Sequence, residues 1–310
     1  MQQGKRTAPE PVSGRGRFEA MGTLRATTLL AGFLLSAILL MPVQAVARKL
    51  RLKAAKSIPL HYHRFLCRLI GIRVIVRGTP HADGACLFTA NHTSWLDIPI
   101  MSSVVPISFV AKSEVAGWPF FGTLARLQNT VFVERERRTR TAESRNLIHS
   151  RIAEGDRLVL FPEGTSSDGN RVLNFKSALM SVAQLTIVNS DEDREDDLVV
   201  QPVSVAYTNL HGLPMGRYNR PFFAWYGDME LVPHLWEAFK KGPIDVVMEY
   251  HRPVTIREVG NRKALANYCE SCCRAGLARA LTGRHVPGPE EVAGTEEQPA
   301  TAARLAAAAQ

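Results

Sequence analysis

His92 and Asp97 stand five residues apart in Asn91-His92-Thr93-Ser94-Trp95-Leu96-Asp97, and an imidazole beside a carboxylate is a simple assembly for taking a proton from a hydroxyl. On a regular helix, at about 100° per residue, the two side chains would point about 140° apart and could not meet. A turn at Thr93 and Ser94, with either residue capping a helix that contains Asp97, would swing the carboxylate back to the imidazole. Asp97 would then fix the ring tautomer and stabilise the charged form, leaving the other nitrogen of His92 as a general base. A histidine near an aspartate is also a common pairing without chemistry, so the meaning of this one depends on what surrounds it.

Two other segments carry suitable groups. Leu158-Val159-Leu160-Phe161 is an apolar run closed by Pro162-Glu163-Gly164-Thr165-Ser166, the pattern of a buried strand ending in a turn. Gly164 permits close backbone approach, and Thr165 with neighbouring N–H groups offers donors to an anion. In an ordinary strand-to-helix turn, Glu163 would simply be solvated. In Asn129-Thr130-Val131-Phe132-Val133-Glu134-Arg135, Arg135 closes a strand, where its fork can grip a phosphate or carboxylate at two points. Ligands of open α/β sheets gather at the carboxyl ends of strands, so all three segments can face one cleft.

The elements that must position these groups alternate between β-rich runs and helical patterns, the signature of an α/β domain. Strands are predicted at 73–76, 85–89, 107–111, 130–133, 157–161, 199–207, 222–226 and 245–250, and helices at 95–104, 119–127, 141–153, 176–187 and 261–281. Asp191-Glu192-Asp193-Arg194-Glu195-Asp196-Asp197 reads as a solvated loop. Ahead of this domain, 26–47 is uncharged and long enough to span a bilayer, and the cations of 48–56 behind it favour a cytoplasmic flank and an uncleaved anchor or re-entrant hairpin over a signal peptide. Residues 60–70 form an amphipathic helix that suits either an anionic membrane interface or the face of the domain. The organisation expected is a disordered 1–25, a membrane anchor with amphipathic helix over 26–71, a mixed sheet flanked by helices over 72–283, and a disordered tail over 284–310.

The 310 residues include 38 Lys and Arg against 29 Asp and Glu, for a net charge of +9. That surplus suits an anionic membrane, an acidic carrier protein or nucleic acid. Nucleic acid is disfavoured, because the cations crowd beside the apolar segment without a recognised binding motif. Five cysteines are too few and too unevenly spaced for a disulfide framework, and Cys269-x-x-Cys272-Cys273 lacks the second ligand pair a zinc site needs. No Gly-x-Ser-x-Gly elbow marks a serine hydrolase.

The ordered set His-x4-Asp (His92, Asp97), Phe-Val-Glu-Arg (132–135), Phe-Pro-Glu-Gly-Thr (161–165) and Pro202-Val203 resembles the four blocks of the phospholipid/glycerol acyltransferase family. The resemblance covers 73–207 and implies transfer of an acyl group from a thioester, on coenzyme A or acyl carrier protein, to the free hydroxyl of a lysolipid. By position it makes His92 the base, Asp97 its partner, Arg135 the acceptor-headgroup contact, and Glu163, Gly164 and Thr165 part of the acceptor site. No metal or other cofactor is implied. It also places the domain on the cytoplasmic face of a cell inner membrane. Asn129, Glu134 and Ser166 depart from the usual Gly, Asp and Arg of the blocks, which bears on the acceptor more than on the chemistry. The family's central acceptor, 1-acylglycerol 3-phosphate, is the first expectation. Residues 111–122 and 210–217 resemble a bacterial branch that acylates lyso-ornithine lipid, the second expectation. A noncatalytic membrane lipid-binding protein is the alternative of another class, and it would have no use for the His92 and Asp97 pair.

Overall fold

The computed structural model describes residues 14–133, 138–184, 186–189 and 194–289. In chain order these form α1 (Gly14–Lys49), α2 (Ala54–Ile70), β1 (Ile72–Arg77), β2 (Cys86–Ala90), α3 (Asp97–Ser102), β3 (Ser108–Lys112), α4 (Phe121–Leu127), β4 (Val131–Val133), α5 (Arg138–Ala153), β5 (Arg157–Leu160), β6 (Thr186–Asn189), β7 (Arg194–Asp197), β8 (Val200–Leu210), β9 (Leu213–Pro214), α6 (Leu231–Lys241), β10 (Ile244–Tyr250), α7 (Ile256–Val259) and α8 (Arg262–Thr282).

The main sheet runs in the order β1-β10-β8-β2-β5-β3-β4, with β9 on β8. It is mixed: β8 and β10 are antiparallel, while β8, β2, β5, β3 and β4 lie parallel to one another. The carboxyl ends of those five strands therefore share one edge, which is where the polar turns were expected. Alternate residues point to opposite faces of a strand, and each face has its own apolar layer. Phe88, Val203, Val205 and Tyr207 meet Leu66 and Ile70 of α2, Ile100 of α3 and Phe239 of α6. On the other face, Leu87, Leu158, Val200 and Ala206 meet Ile148 and Ile152 of α5 and Leu265, Cys269 and Leu277 of α8.

The N-terminal helix starts at Gly14, well before the apolar stretch, so the reading of 1–25 as disordered fails for the residues from Gly14 onward. Residues 1–13, and the tail beyond 289, lie outside the described residues. One stripe of α1, with Ala26, Leu29, Phe33 and Ala37, packs on the domain, while Leu35, Ile38, Leu39, Val43 and Val46 on the opposite side remain exposed. Its Glu19–Lys49 portion is long and apolar enough to cross a membrane. The helix of 60–70 starts earlier, at Ala54, and its Leu66, Cys67 and Ile70 are buried against the domain.

Three expectations about local structure are corrected. The helix predicted over 176–187 is a tight 3-10 turn at Leu179–Gln184 followed by β6, because the β-branched run Thr186-Ile187-Val188 pairs antiparallel with 194–197 instead. Half of the predicted charged loop is thus strand β7, and residues 191–193 lie outside the described residues. The strand expected at 222–226 is a 3-10 turn at Arg220–Phe222 and a loop. The unpredicted helix α6 buries Leu235, Ala238 and Phe239 at helical spacing and carries Pro233 in its first turn, where a missing N–H costs little.

Candidate active site

The turn after β2 is anchored by Asn91, which is buried and clamps β8 at two points: Nδ2 donates to the Val205 carbonyl at 2.9 Å and Oδ1 accepts the Val205 N–H at 2.8 Å. The chain then turns before α3, as the spacing of His92 and Asp97 requires. The mechanism of the turn differs from expectation, since neither Thr93 nor Ser94 caps α3 with its side chain. Asp97, in the first helical turn, reaches back instead. Its Oδ2 accepts the Thr93 N–H at 2.7 Å, the Ser94 N–H at 3.0 Å and His92 Nδ1 at 2.8 Å. A carboxylate can only accept, so Nδ1 carries the ring proton and Nε2 is the nitrogen left with a lone pair.

The second oxygen of Asp97 accepts the hydroxyl of Tyr207 at 2.7 Å. Both residues are 0% exposed, so this carboxylate has exchanged water for four protein donors. Burial, and then the charge of Asp97, raise the Tyr207 phenol well above its usual range, which keeps it a donor. No sequence motif marked Tyr207 or Asn91. Both act through long-range contacts across the sheet, and only the end of the predicted strand at residue 207 hinted that Tyr207 reaches this edge.

The His92 ring, whose side chain is 20% exposed, stacks on Phe161 with centroids 4.1 Å apart and planes at 18°. Phe161 opens the turn after β5, and that turn is tied to the first. The Ser167 N–H donates to the His92 carbonyl at 2.9 Å, and the Trp225 N–H to the Thr93 carbonyl at 2.9 Å. Ser166 Oγ donates to the Trp225 carbonyl. Gly169, at φ +76°, passes so close that a Cβ there would lie 3.0 Å from Thr93 Cγ2.

The predicted acceptor-site residues separate. Glu163 is 1% exposed and lies behind the main chain of His92, whose N–H it accepts at 3.2 Å through Oε1. Burial pushes its carboxyl up to about 8. Gly164 takes φ +75° and donates its N–H to the Phe161 carbonyl at 3.1 Å, while Thr165 is exposed. Arg135 lies outside the described residues. The strand before it, β4, ends at Val133 on the same sheet edge as His92 and Phe161. The three blocks thus do converge on one edge of the sheet as far as the described residues reach.

A cavity of about 230 Å³ is lined by Phe33 and Ala37 of α1, Leu66 of α2, Phe109, and Trp95 and Ile98 on either side of Asp97 in the chain, among others. Phe109 stacks on Phe161 at 6.2 Å and 13°, so aromatic rings run without a break from the imidazole into the cavity wall. All five cysteines are buried and none is in a disulfide. Among the described residues, no three His, Cys, Asp or Glu side chains gather as a metal-binding group.

Comparison with known proteins agrees with this geometry. The acyltransferase family matches residues 41–206. A lyso-ornithine lipid O-acyltransferase of Brucella abortus (strain 2308) is 44% identical over 267 residues, which is 86% of this chain and 99% of that protein. A 1-acyl-sn-glycerol-3-phosphate acyltransferase of Neisseria gonorrhoeae is 30% identical over 67% of this chain and 75% of its own length. The crystal structure of a 1-acyl-sn-glycerophosphate acyltransferase from Thermotoga maritima superposes with a TM-score of 0.58 over 86% of this chain and all of that one, at 22% identity, and so shares the fold.

Proposed function

Because this chain belongs to the acyltransferase family, as an O-acyltransferase acting on lysolipids, we propose that its acceptor is lyso-ornithine lipid, which it acylates from a fatty acyl thioester. The observation that carries the acceptor is the 44% identity spanning 99% of the Brucella lyso-ornithine lipid enzyme, against 30% over 75% of the Neisseria lysophosphatidate enzyme. This reverses the order expected from the motifs. The departure at Ser166 points the same way: its hydroxyl is spent on the Trp225 carbonyl, where a phosphate site would gain from a cation.

In the proposed reaction, Nε2 of His92 takes the proton of the acceptor hydroxyl as its oxygen attacks the thioester carbonyl. The carbonyl π electrons move to oxygen, giving a tetrahedral oxyanion that nearby donors stabilise. Asp97 compensates the imidazolium that forms. The intermediate then collapses, the carbon–sulfur bond breaks, and the thiolate takes the proton back from His92. No acyl-enzyme is needed, since the thioester is already activated.

Other residues receive roles from their positions. The cavity next to Trp95 and Phe109 suits the acyl chain, because burying methylenes there contributes about 0.8 kcal/mol each. Arg135, two residues beyond β4, is assigned to an anionic group of the acceptor headgroup, and the exposed Thr165 to the rim of the same site. The protein is membrane-associated through α1, whose bare apolar stripe faces away from the domain. We place it at the inner membrane with the domain on the cytoplasmic face, where coenzyme A or acyl carrier protein delivers the chain and the cations after α1 meet anionic lipid.

The test is competition: purified protein in mixed micelles is given one acyl thioester with lyso-ornithine lipid and 1-acylglycerol 3-phosphate together. Acylation of the ornithine lipid in clear preference is expected. Exclusive acylation of the phosphate lipid would restore the other acceptor.

A further inference from the structure

We propose that Tyr207 is a positioning residue of the reaction: its hydroxyl holds the far oxygen of Asp97 and so sets how strongly the near oxygen grips His92. The inference rests on the reading of His92 as the base. Its starting point is an asymmetry in the carboxylate. Oδ2 accepts three donors, from Thr93, Ser94 and His92, whereas among the described residues Oδ1 has the Tyr207 hydroxyl at 2.7 Å.

As a packing residue, Tyr207 would need no hydroxyl. It continues the β8 face that carries Val203 and Val205 into the apolar layer, and it is itself 0% exposed. A phenol there must find a partner or lose a hydrogen bond it made to water, and the partner it finds is the dyad. Its main chain is held too: the Tyr207 carbonyl accepts Arg220 Nε at 3.1 Å, and the same buried guanidinium donates to the Met215 carbonyl at 2.8 Å and to Asn170. The hydroxyl is therefore delivered to Asp97 from a fixed strand position.

The consequence is electrostatic. A donor on Oδ1 draws negative charge toward itself, which keeps a fully buried carboxylate ionised and reduces the proton affinity of Oδ2. If that donor is removed, Oδ2 pulls harder on the Nδ1 proton and stabilises the imidazolium more. His92 then holds its proton to higher pH, and it returns the proton to the leaving thiolate less readily. The other titratable groups facing this assembly are Glu163 after β5 and Cys67 of α2, with Cys273 and Arg274 of α8 behind Glu163. None of them contacts the Asp97 oxygens.

Tyr207→Phe in the full-length protein keeps the ring and removes the hydroxyl. We expect kcat to fall about tenfold or more, the loss typical of a hydrogen bond to a charged group, with both KM values nearly unchanged. The decisive readout is the acid limb of the pH profile of kcat, which should move to higher pH. An acid limb that stays in place overturns the proposal whether or not kcat falls, because lost packing alone would not move it. If the Phe variant does not fold, a fluorinated tyrosine at 207, a stronger donor, should move the limb to lower pH, and an unmoved limb there also overturns it. The two readings fail differently. Full turnover in folded His92→Ala would remove the base itself, whereas an inactive His92→Ala beside a normal Tyr207→Phe would remove Tyr207 alone.

Discussion

Around Asp97 four donors converge on one buried carboxylate, whereas the cavity that begins at Trp95 and Phe109 offers a ligand mainly hydrocarbon and aromatic rings. The two regions are separated by the ring of Phe161. Of the polar side chains on the cavity wall, His63 Nε2 lies 3.1 Å from Gln128 Oε1 and Gln44 Nε2 donates to the carbonyls of Ala55 and Leu127, while the Tyr62 hydroxyl, His63 Nδ1 and Gln44 Oε1 are buried without a hydrogen-bond partner among the described residues. Burial lowers His63 to about 4, so it brings no charge there at neutral pH. The contrast follows from what each region must do. Proton transfer tolerates little error in distance and angle, so directional hydrogen bonds fix the dyad. A chain of methylenes is held by nondirectional contact, for which shape suffices.

If that contrast is right, the largest losses come from the directional side. His92→Ala should lower kcat about 10²–10⁴-fold while the protein still folds and binds membrane, because the partly exposed ring stands at the edge of the core and not within it. Asp97→Asn should also be severely impaired, since an amide can hold the ring but cannot compensate an imidazolium. The double variant should be little worse than His92→Ala, as expected of groups acting as a unit. Losses that multiply would dissolve the dyad.

On the nondirectional side the effect should be smaller and selective. Ala37 is 1% exposed and lines the cavity, so Ala37→Phe shortens or narrows it. Long-chain donors should lose about tenfold in kcat/KM relative to short ones, the scale of a methylene or two in an apolar pocket. An unchanged chain-length profile would place the acyl chain elsewhere.

The smallest effect sharpens the border between the regions. Glu163 binds its proton up to about pH 8 in the folded protein, against an ordinary 4.5. Between those values the folded state holds more protons than the unfolded, so Glu163 makes stability fall as pH rises through that window. Glu163→Gln keeps an oxygen for the His92 N–H and removes the titration. Its melting temperature should gain on the parent protein between pH 5 and pH 8, with little change in turnover (the window is roughly that of the shift). Parallel melting curves across this range would show that Glu163 is not buried as a neutral acid.

The dyad was legible because it is local. Five residues, a strand before them and a helix after them contain the whole geometry, and His92 and Asp97 need only one turn to meet. The strands around it were legible for the same reason: a buried run such as Leu158-Val159-Leu160 admits few other readings. Local signals also misled where a competing partner lay nearby, as when Thr186-Ile187-Val188 left a helical pattern to pair with 194–197.

What the amino-acid sequence offered by itself was thus the reaction class, through the resemblance of its ordered blocks to the acyltransferase family, and the two groups that face each other across one turn, through their covalent spacing. Only the tertiary structure decided that Asn91 is pinned to Val205, that Tyr207 supplies the Asp97 donor on Oδ1, that Glu163 sits behind the base, and that α1, α2 and β3 close on a common cavity. Those contacts join residues up to 114 positions apart, and no local pattern encodes them. They exist because burying the two apolar faces of the sheet brings the segments together, after which each stranded polar group must find whatever partner has arrived.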